Sequence, residues 1–433
     1  METITPIVIV GGGAGGLELA AKLGRKHGAE QVYLIDRETD HIWKPSLHEV
    51  AAGTLDIHRE GLSYFMLARD CNFTFILGAL TGLDKDNKQI HIAEAFNEAG
   101  QQLFPKRTLS YGTLVIAVGS KSNFFNTAGA EQYAITLDAT AQAENFRLKL
   151  LHALTSNVAD SKGVEPQPLH ITIVGGGATG VELAAELTEA VTSFHFYGLN
   201  HLLPERHLAI TLLEGADRIL AALPPELSAR ATRLLQSRHI KVATGVRVTE
   251  VQATHLLDSE GKSYPSDLCV WAAGIQAPVF LRDLGLETNR MNQLVANARL
   301  ETMDPYIYAM GDCAQVPWVG GEGYLPARAQ VAHQQANYLY KVLSARLRGE
   351  HQRTEFKYKD YGSLVSVGHT KGVGSLMGVL SGKSWFVEGL VARTMYMSLH
   401  LMHHAAVMGV LRTFSIVLGR LLLKRSAPRI KLH

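Results

Sequence analysis

Cysteine is nearly absent from this chain, with three in 433 residues. Cys71, Cys269 and Cys313 lie far apart, none sits in a Cys-x-x-Cys pair, and no Cys/His cluster has metal-ligand spacing. A disulfide framework, a zinc site and a redox dithiol are excluded, and an intracellular location is expected. An excess of charge of one sign is also missing. Lys and Arg total 42 against 40 Asp and Glu, so nothing points to nucleic acid. No apolar run reaches the ~20 residues that a membrane-spanning helix needs. The opening Met1-Glu2-Thr3-Ile4-Thr5-Pro6 lacks the basic segment of a secretory or transit peptide. What remains is an ordinary globular composition, 46% hydrophobic and 19% charged, in a chain long enough for two or three domains.

Glycine is plentiful and placed. Ile7-Val8-Ile9-Val10 reads as a buried parallel strand, and Gly11-Gly12-Gly13-Ala14-Gly15-Gly16 follows at once. Gly11, Gly13 and Gly16 satisfy G-x-G-x-x-G, and Leu17 to Leu23 reads as helix. The order has a chemical reason. The first glycine permits the tight turn, the second lets backbone approach a pyrophosphate, and the third lets helix pack on strand. The helix start offers free N–H groups and the positive dipole end to phosphates. Val32-Tyr33-Leu34-Ile35 then ends in Asp36, an acid placed for ribose hydroxyls.

The unit recurs about 160 residues later. Ile171 to Val174 is the strand, Gly175-Gly176-Gly177-Ala178-Thr179-Gly180 the loop, Val181 to Leu187 the helix, and Thr211 to Leu213 the strand ending in Glu214. The stretch from Gly180 to Glu214 is longer than usual, and an insert around Ser193 to Arg206 is expected to lengthen the helix and add a loop. Glu214 suits a free 2′-hydroxyl and repels a 2′-phosphate, which favours NADH over NADPH, although Arg218 is close in sequence. Glu182 has two readings, a favourable charge near the helix dipole or a carboxylate beside the nicotinamide. Two sites divide the work between a tightly held flavin and an exchanging nicotinamide. Leu114 to Gly119 and Val270 to Gly274, with Ala273, read as strands returning to a nucleotide site. Ile307 to Met310 leads into Gly311-Asp312, whose carboxylate is placed for a flavin ribityl chain.

The succession GGGAGG, GGGATGVE and YAMGDC resembles the two-dinucleotide-binding-domain flavoproteins. Ala329-Gln330-Val331-Ala332-His333-Gln334 has the A-Q-x-A-x-Q pattern of the type II NADH dehydrogenases, single-subunit NADH:quinone oxidoreductases of respiratory membranes. His41 to Gly53 and the C-terminal tail are similar to the bacterial members too. The resemblance implies non-covalent FAD at Gly11, Gly12, Gly13, Ala14, Gly15, Gly16, Asp36, Lys44, Gly119, Gly311 and Asp312, with Ala329 and Gln330 by the flavin ring. It implies NADH at Gly175, Gly177, Ala178, Thr179, Gly180, Glu182, Glu214, Ala273 and Gly274, and quinone at Gln330 and Gln334. These two glutamines share a helical face at i and i+4, which without the resemblance would read as a solvated polar face. Glu182 and His333 are candidate proton sources. A homodimer, peripheral on the cytoplasmic face of the inner membrane and pumping no protons, is implied as well. The missing cysteine pair separates the chain from disulfide reductases and from sulfide:quinone oxidoreductases. Cys313 reads as inert packing.

From Gly389 to His433 there is no acid, while Arg393, Arg412, Arg420, Lys424, Arg425, Arg429 and Lys431 alternate with Leu, Val, Ile, Met and Phe. This is the pattern of helices lying in a membrane interface, and the bland alternative is a packed helix pair with a basic outer face. His400, His403 and His404 lack a carboxylate or cysteine partner, so a satisfied or interfacial role is favoured over a metal.

The expected fold is α/β. A discontinuous FAD domain (1–119 and 290–350) carries an inserted NADH domain (120–289), and a C-terminal region (351–433) opens with strands such as Gly362 to Val367 and ends in amphipathic membrane-anchoring helices. Two other functions fit less well: a soluble reductase for a small iron–sulfur or rubredoxin-type protein, and an NADH-responsive membrane-bound interaction protein.

Overall fold

The computed structural model describes residues 5–97, 99–160, 167–194, 204–350, 352–366, 372–377 and 384–423. Along the chain, strand β1 (Ile7–Val10) runs into helix α1 (Ala14–His27) and then β2 (Val32–Asp36). Helices α2 (Leu47–Ala52) and α3 (Tyr64–Cys71) precede β3 (Thr74–Leu77). Next come β4 (Thr113–Ile116), β5 (Lys121–Ser122), β6 (Ala134–Thr136), α4 (Thr140–Asp160), β7 (Leu169–Val174), α5 (Ala178–Phe194) and β8 (Leu208–Glu214). They are followed by β9 (Lys241–Thr244), β10 (Leu268–Trp271), β11 (Ile275–Gln276), β12 (Ile307–Ala309) and α6 (Ala329–Leu347). The chain closes with β13 (Gly362–Ser366), β14 (Gly372–Met377), β15 (Ser384–Glu388), α7 (Gly389–Met408) and α8 (Val410–Leu423).

Two five-stranded parallel sheets repeat one plan. The first has the order β12-β4-β1-β2-β3 and the second β6-β10-β7-β8-β9. Their central strands bury apolar side chains on both faces, as β1 does with no residue above 3% exposed. Each domain adds a three-stranded antiparallel sheet, at 80–110 in the first and 248–265 in the second. The ligand end of such a sheet lies beyond the strands' carboxyl ends, where both glycine loops are found.

The domains join through the antiparallel pair β5 and β11. The Asp138 carboxylate fastens the crossing by accepting from Ser122 N at 2.9 Å and Ser122 Oγ at 3.0 Å. From Ala277 the chain already packs into the first core, through Leu281, Leu284 and Leu286. Packing thus passes back to the first domain ahead of residue 290. The insert after Gly180 does lengthen α5, to Phe194; residues 195–203 lie outside those described.

One element departs from sequence order. Helix α2 lies between β2 and β3 in the chain, yet Leu47, Val50, Ala51 and Ala52 join the second core with Phe146, Leu150 and Val365. It acts as a strap across the domain junction. Strand β13 meets the expectation for Gly362 onward; Val367 lies outside the described residues.

Helix α7 packs against protein. Val407 is fully buried in the first core, and its carbonyl accepts from the Arg25 guanidinium. His403 and His404 are buried, so the histidines are packed groups and not headgroup contacts. Helix α8 is held by an ion pair of Arg412 with Asp70 of α3. Its Val410, Leu411, Phe414, Leu418 and Leu422 are all exposed. No helix among the described residues is long and apolar enough to cross a membrane.

Candidate active site

The first loop is built by contacts that leave its outer edge bare. Gly11 N donates to Ile35 O and Ala117 N to Val10 O, both at 2.8 Å, closing β1 between its neighbours. Helix α1 must then start directly against the strand turn. A Cβ on Gly16 would stand 1.9 Å from Gly11 O, so only glycine fits. Gly13 caps α1 with no side-chain bond, no acid lies in the first turn, and a Cβ on Gly13 would meet nothing within 4 Å. An uncapped helix start facing open space suits a pyrophosphate. Gly15 faces the protein, where a Cβ would lie 2.4 Å from Met310 Cε and 3.0 Å from Ala332 O of α6. Ala14 is half-buried at the mouth.

Asp36 ends β2 and accepts from Gly12 N at 2.6 Å and Glu38 N at 2.9 Å. Burial lifts its carboxyl above the usual range, opposed by those two N–H donors. The Gly12 carbonyl accepts twice, from Tyr64 Oη at 2.7 Å and His41 Nδ1 at 2.9 Å.

The remaining predicted residues of this site converge. Lys44 Nζ donates to Ser120 O at 2.8 Å, next to Gly119, and Ser120 Oγ donates to Asp312 Oδ2 at 2.9 Å. Gln293 Nε2 holds the Asp312 carbonyl, and Gly311 N donates to Gln335 Oε1 at 2.7 Å. Lys44, Gly119, Gly311 and Asp312 are therefore neighbours although 44 and 312 are far apart in the chain. Ala329 opens α6. Gln330 Nε2 donates to Gly362 O at 2.9 Å, and Gln334 exchanges bonds with Lys359 O (2.8 Å) and Lys359 N (3.0 Å). Both amides, half-buried, thus staple α6 to 359–362. His333 Nδ1 meets Glu18 Oε2 at 2.8 Å, a carboxylate also paired with Lys22.

The second loop repeats the frame. Gly175 N donates to Leu213 O and Ala272 N to Val174 O, again at 2.8 Å, and Gly176 N donates to Glu214 Oε2 at 2.6 Å. Ala216 N donates to Glu214 Oε1 at 2.8 Å. A Cβ on Gly180 would stand 2.0 Å from Gly175 O. Gly177 is exposed as Gly13 is, but here Ala178 and Thr179 are exposed too, where Ala14 is half-buried and Gly15 buried. Gly274 is exposed beside Ala273, with the Phe125 ring against it. Arg218 turns its guanidinium to Ala221 O at 2.9 Å and Leu223 O at 3.4 Å, away from Glu214.

Glu182 lies beyond the first turn of α5 and faces inward. It is 6% exposed, Ser366 N donates to its Oε1 at 3.0 Å, and His48 Nδ1 of α2 lies 3.5 Å from its Oε2. Burial drives its carboxyl well above the usual range, reinforced by Glu49 and Glu186. Its partners are Ser366 and His48 and not the free N–H groups of the helix start. All three cysteines are free and buried, and burial holds Cys269 and Cys313 up at about 12, consistent with inert thiols. Among the described residues no group of His, Cys, Asp or Glu is arranged to hold a metal.

Sequence reasoning missed His41, Tyr64, Ser120, Gln335 and His48. Gln335, 1% exposed one place beyond the noted motif, could have been found from its position on the buried face of α6.

Comparison with known proteins agrees with this geometry. Residues 5–336 match the pyridine nucleotide-disulphide oxidoreductase family. A type II NADH:quinone oxidoreductase from Haemophilus influenzae is 38% identical, with 99% of each chain covered. One from Staphylococcus aureus is 28% identical over 89% of this chain and 93% of its own. In fold, the NDH2 of Plasmodium falciparum solved with NADH gives a TM-score of 0.81 at 19% identity, covering 99% of this chain and 100% of that one. The full-length match, the paired loops and the lack of a dithiol lead to one placement: the chain belongs to the type II NADH:quinone oxidoreductases of the pyridine nucleotide-disulphide oxidoreductase family.

Proposed function

We propose that this chain is an NADH:quinone oxidoreductase that holds FAD non-covalently at the first loop, oxidises NADH at the second, and reduces a membrane quinone without pumping protons. The observation that carries the reading is the unequal cover of two near-identical loops. Both loops are open at their third glycine, but Met310 and α6 cover the first at Gly15 and leave Ala14 half-buried, which suits a resident cofactor, while the second stays exposed at Ala178 and Thr179, which suits a substrate that exchanges.

FAD supplies the two-electron chemistry, taking hydride from NADH and giving electrons to quinone. The chain's residues bind and orient. Asp36 is placed for the adenosine ribose, and Lys44, Ser120 and Asp312 form a polar cluster where the FAD-loop strands end. Glu214, with Arg218 turned away, selects NADH over NADPH. The buried acid Glu182 holds a proton beside His48, as quinol formation requires. Gln330 and Gln334 fix the wall of the quinone path by stapling α6 to 359–362.

Attachment to the cytoplasmic face of the inner membrane, where NADH is produced and quinone dissolves, is assigned to α8. At 100° per residue its five exposed apolar side chains fall within an arc of about 120°, the geometry of an interfacial helix. Phe65 and Met66 of α3, the helix paired with Arg412, are exposed as well.

The test follows NADH absorbance at 340 nm in detergent, with and without a short-chain ubiquinone. Quinone-dependent NADH loss by a yellow protein is expected. A flavin that NADH bleaches and quinone fails to reoxidise would overturn the quinone assignment and favour a protein acceptor.

A further inference from the structure

The Gly12 carbonyl is held from an unexpected direction. A carbonyl only accepts, so His41 must donate to it through Nδ1–H. In the neutral ring the other nitrogen, Nε2, is then an acceptor. It lies 2.9 Å from Nε2 of His403, which must therefore be the donor. His403 belongs to α7, 362 residues away in the chain. Trp43 packs on the His403 ring with centroids 4.5 Å apart, and Tyr64 adds the second donor to Gly12 O. All of His41, Tyr64 and His403 are at most 4% exposed.

The peptide plane carries this one step further. The Gly12 C=O and the Gly13 N–H belong to the same trans peptide and point in opposite directions. Fixing the carbonyl inward fixes the N–H outward, toward the open space at Gly13. The second loop needs no such help: Gly176 O accepts from Leu220 N at 2.7 Å, within its own domain.

We propose that His403 is a positioning residue for the flavin: acting through His41, it orients the Gly12–Gly13 peptide toward the pyrophosphate and makes retention of FAD depend on a docked α7. The helix that leads to the membrane-facing α8 thereby becomes part of the cofactor site. The inference rests on FAD occupying the first loop.

The experiment uses the full-length protein in detergent. FAD released by heat is quantified and identified by mass, and the flavin dissociation rate is followed by recovery of fluorescence on dilution. His403→Phe keeps a ring on Trp43 and removes the donor; it should raise the dissociation rate about 10-fold, the loss of one buried hydrogen bond. His403→Gln, whose amide can donate, should return to within about two-fold of the wild type. Val407→Ala trims a core contact of α7 without undocking the helix or touching the His403 donor, and should leave the rate unchanged at 25 °C. His41→Phe/His403→Phe should release flavin no faster than His41→Phe alone. Should His403→Phe not fold, His403→Leu replaces it. A wild-type rate in the donor-less variant overturns the inference, as does equal acceleration by Val407→Ala. A wild type that releases no FAD overturns the flavin reading beneath it.

Discussion

The two glycine loops are the same object placed in different surroundings. Each starts from a buried β-branched strand, pins its second glycine to an acid at 2.6 Å, and brings a helix within a hydrogen's width of the strand turn. They differ in what stands around them. The first loop is roofed by Met310 and Ala332 and borrows donors from α3, His41 and, through it, α7. The second is held by its own domain and stays exposed at Ala178 and Thr179, where the first has a half-buried Ala14 and a buried Gly15. On the proposed assignment, a fingerprint specifies that a dinucleotide binds, while the elements brought over it decide which one and whether it stays.

The largest effects should come from the close approaches. At Gly16 and Gly180 an added methyl meets a backbone oxygen at 1.9 and 2.0 Å, and backbone cannot swing aside. Gly180→Ala should purify yellow and folded, with flavin reduction by NADH slowed at least about 100-fold in stopped-flow absorbance. Gly16→Ala should purify colourless. If Gly180→Ala also lost its flavin, the two loops would not be independent sites.

A smaller effect separates the acids. Glu214 receives two backbone N–H bonds at the end of β8, where the proposed NADH ribose would lie. Glu214→Ala should lower kcat/KM for NADH by about 10- to 100-fold, the range for hydrogen bonds to a charged group, and narrow the gap between NADH and NADPH. Equal loss for both nucleotides in steady-state assays would mean that the carboxylate only shapes the loop.

The frame of each site was legible because it is local. Strand, glycines, helix and acid lie within about 40 residues, and their spacing is dictated by sterics. The surroundings were illegible because they come from afar. Lys44 reaches Ser120 O, Ser120 reaches Asp312, and His41 reaches His403, pairings with no periodicity to betray them. Helix α2 shows the same limit, since it packs in the core of the other domain. Glu182 was visible as a residue, but the raising of its carboxyl depends on burial by α2 and the segment at Ser366. The apolar stripe of α8 was readable; that α7 beside it docks His403, His404 and Val407 into the protein was not.

Glu182 has a counterpart at Glu18, and the contrast tests what each does. Glu18 is paired with Lys22, while Glu182 has its carboxyl raised by burial. The unfolded chain ionises such a group above about pH 4.5, and the folded chain resists, so stability falls as pH rises through that range. Glu182→Gln should then raise Tm at pH 8 by roughly 1–3 °C and remove the pH slope. Stopped-flow reduction by NADH should be unaffected, and quinone-dependent turnover should fall about 10-fold. A turnover equal to wild type would remove Glu182 as the proton source.

The subtlest difference concerns acid. Burial holds His41 at about 4, and it holds His403 well below the ordinary histidine value of 6.5. Below 6.5 the unfolded chain takes up protons that these folded rings refuse, so stability is complete above 6.5 and declines as pH falls toward 4. His41 alone should cost about 2 kcal/mol at pH 5. The second loop has a backbone N–H, from Leu220, where the first has His41, and it should not respond. Hydrogen exchange at pH 7 and pH 5 should therefore show protection lost at 11–16 and kept at 175–180. The double variant His41→Phe/His403→Phe should lose most of the acid slope in Tm. Equal deprotection of both loops at pH 5 would mean that the acid response is global, and that the histidine chain is not what separates the two sites.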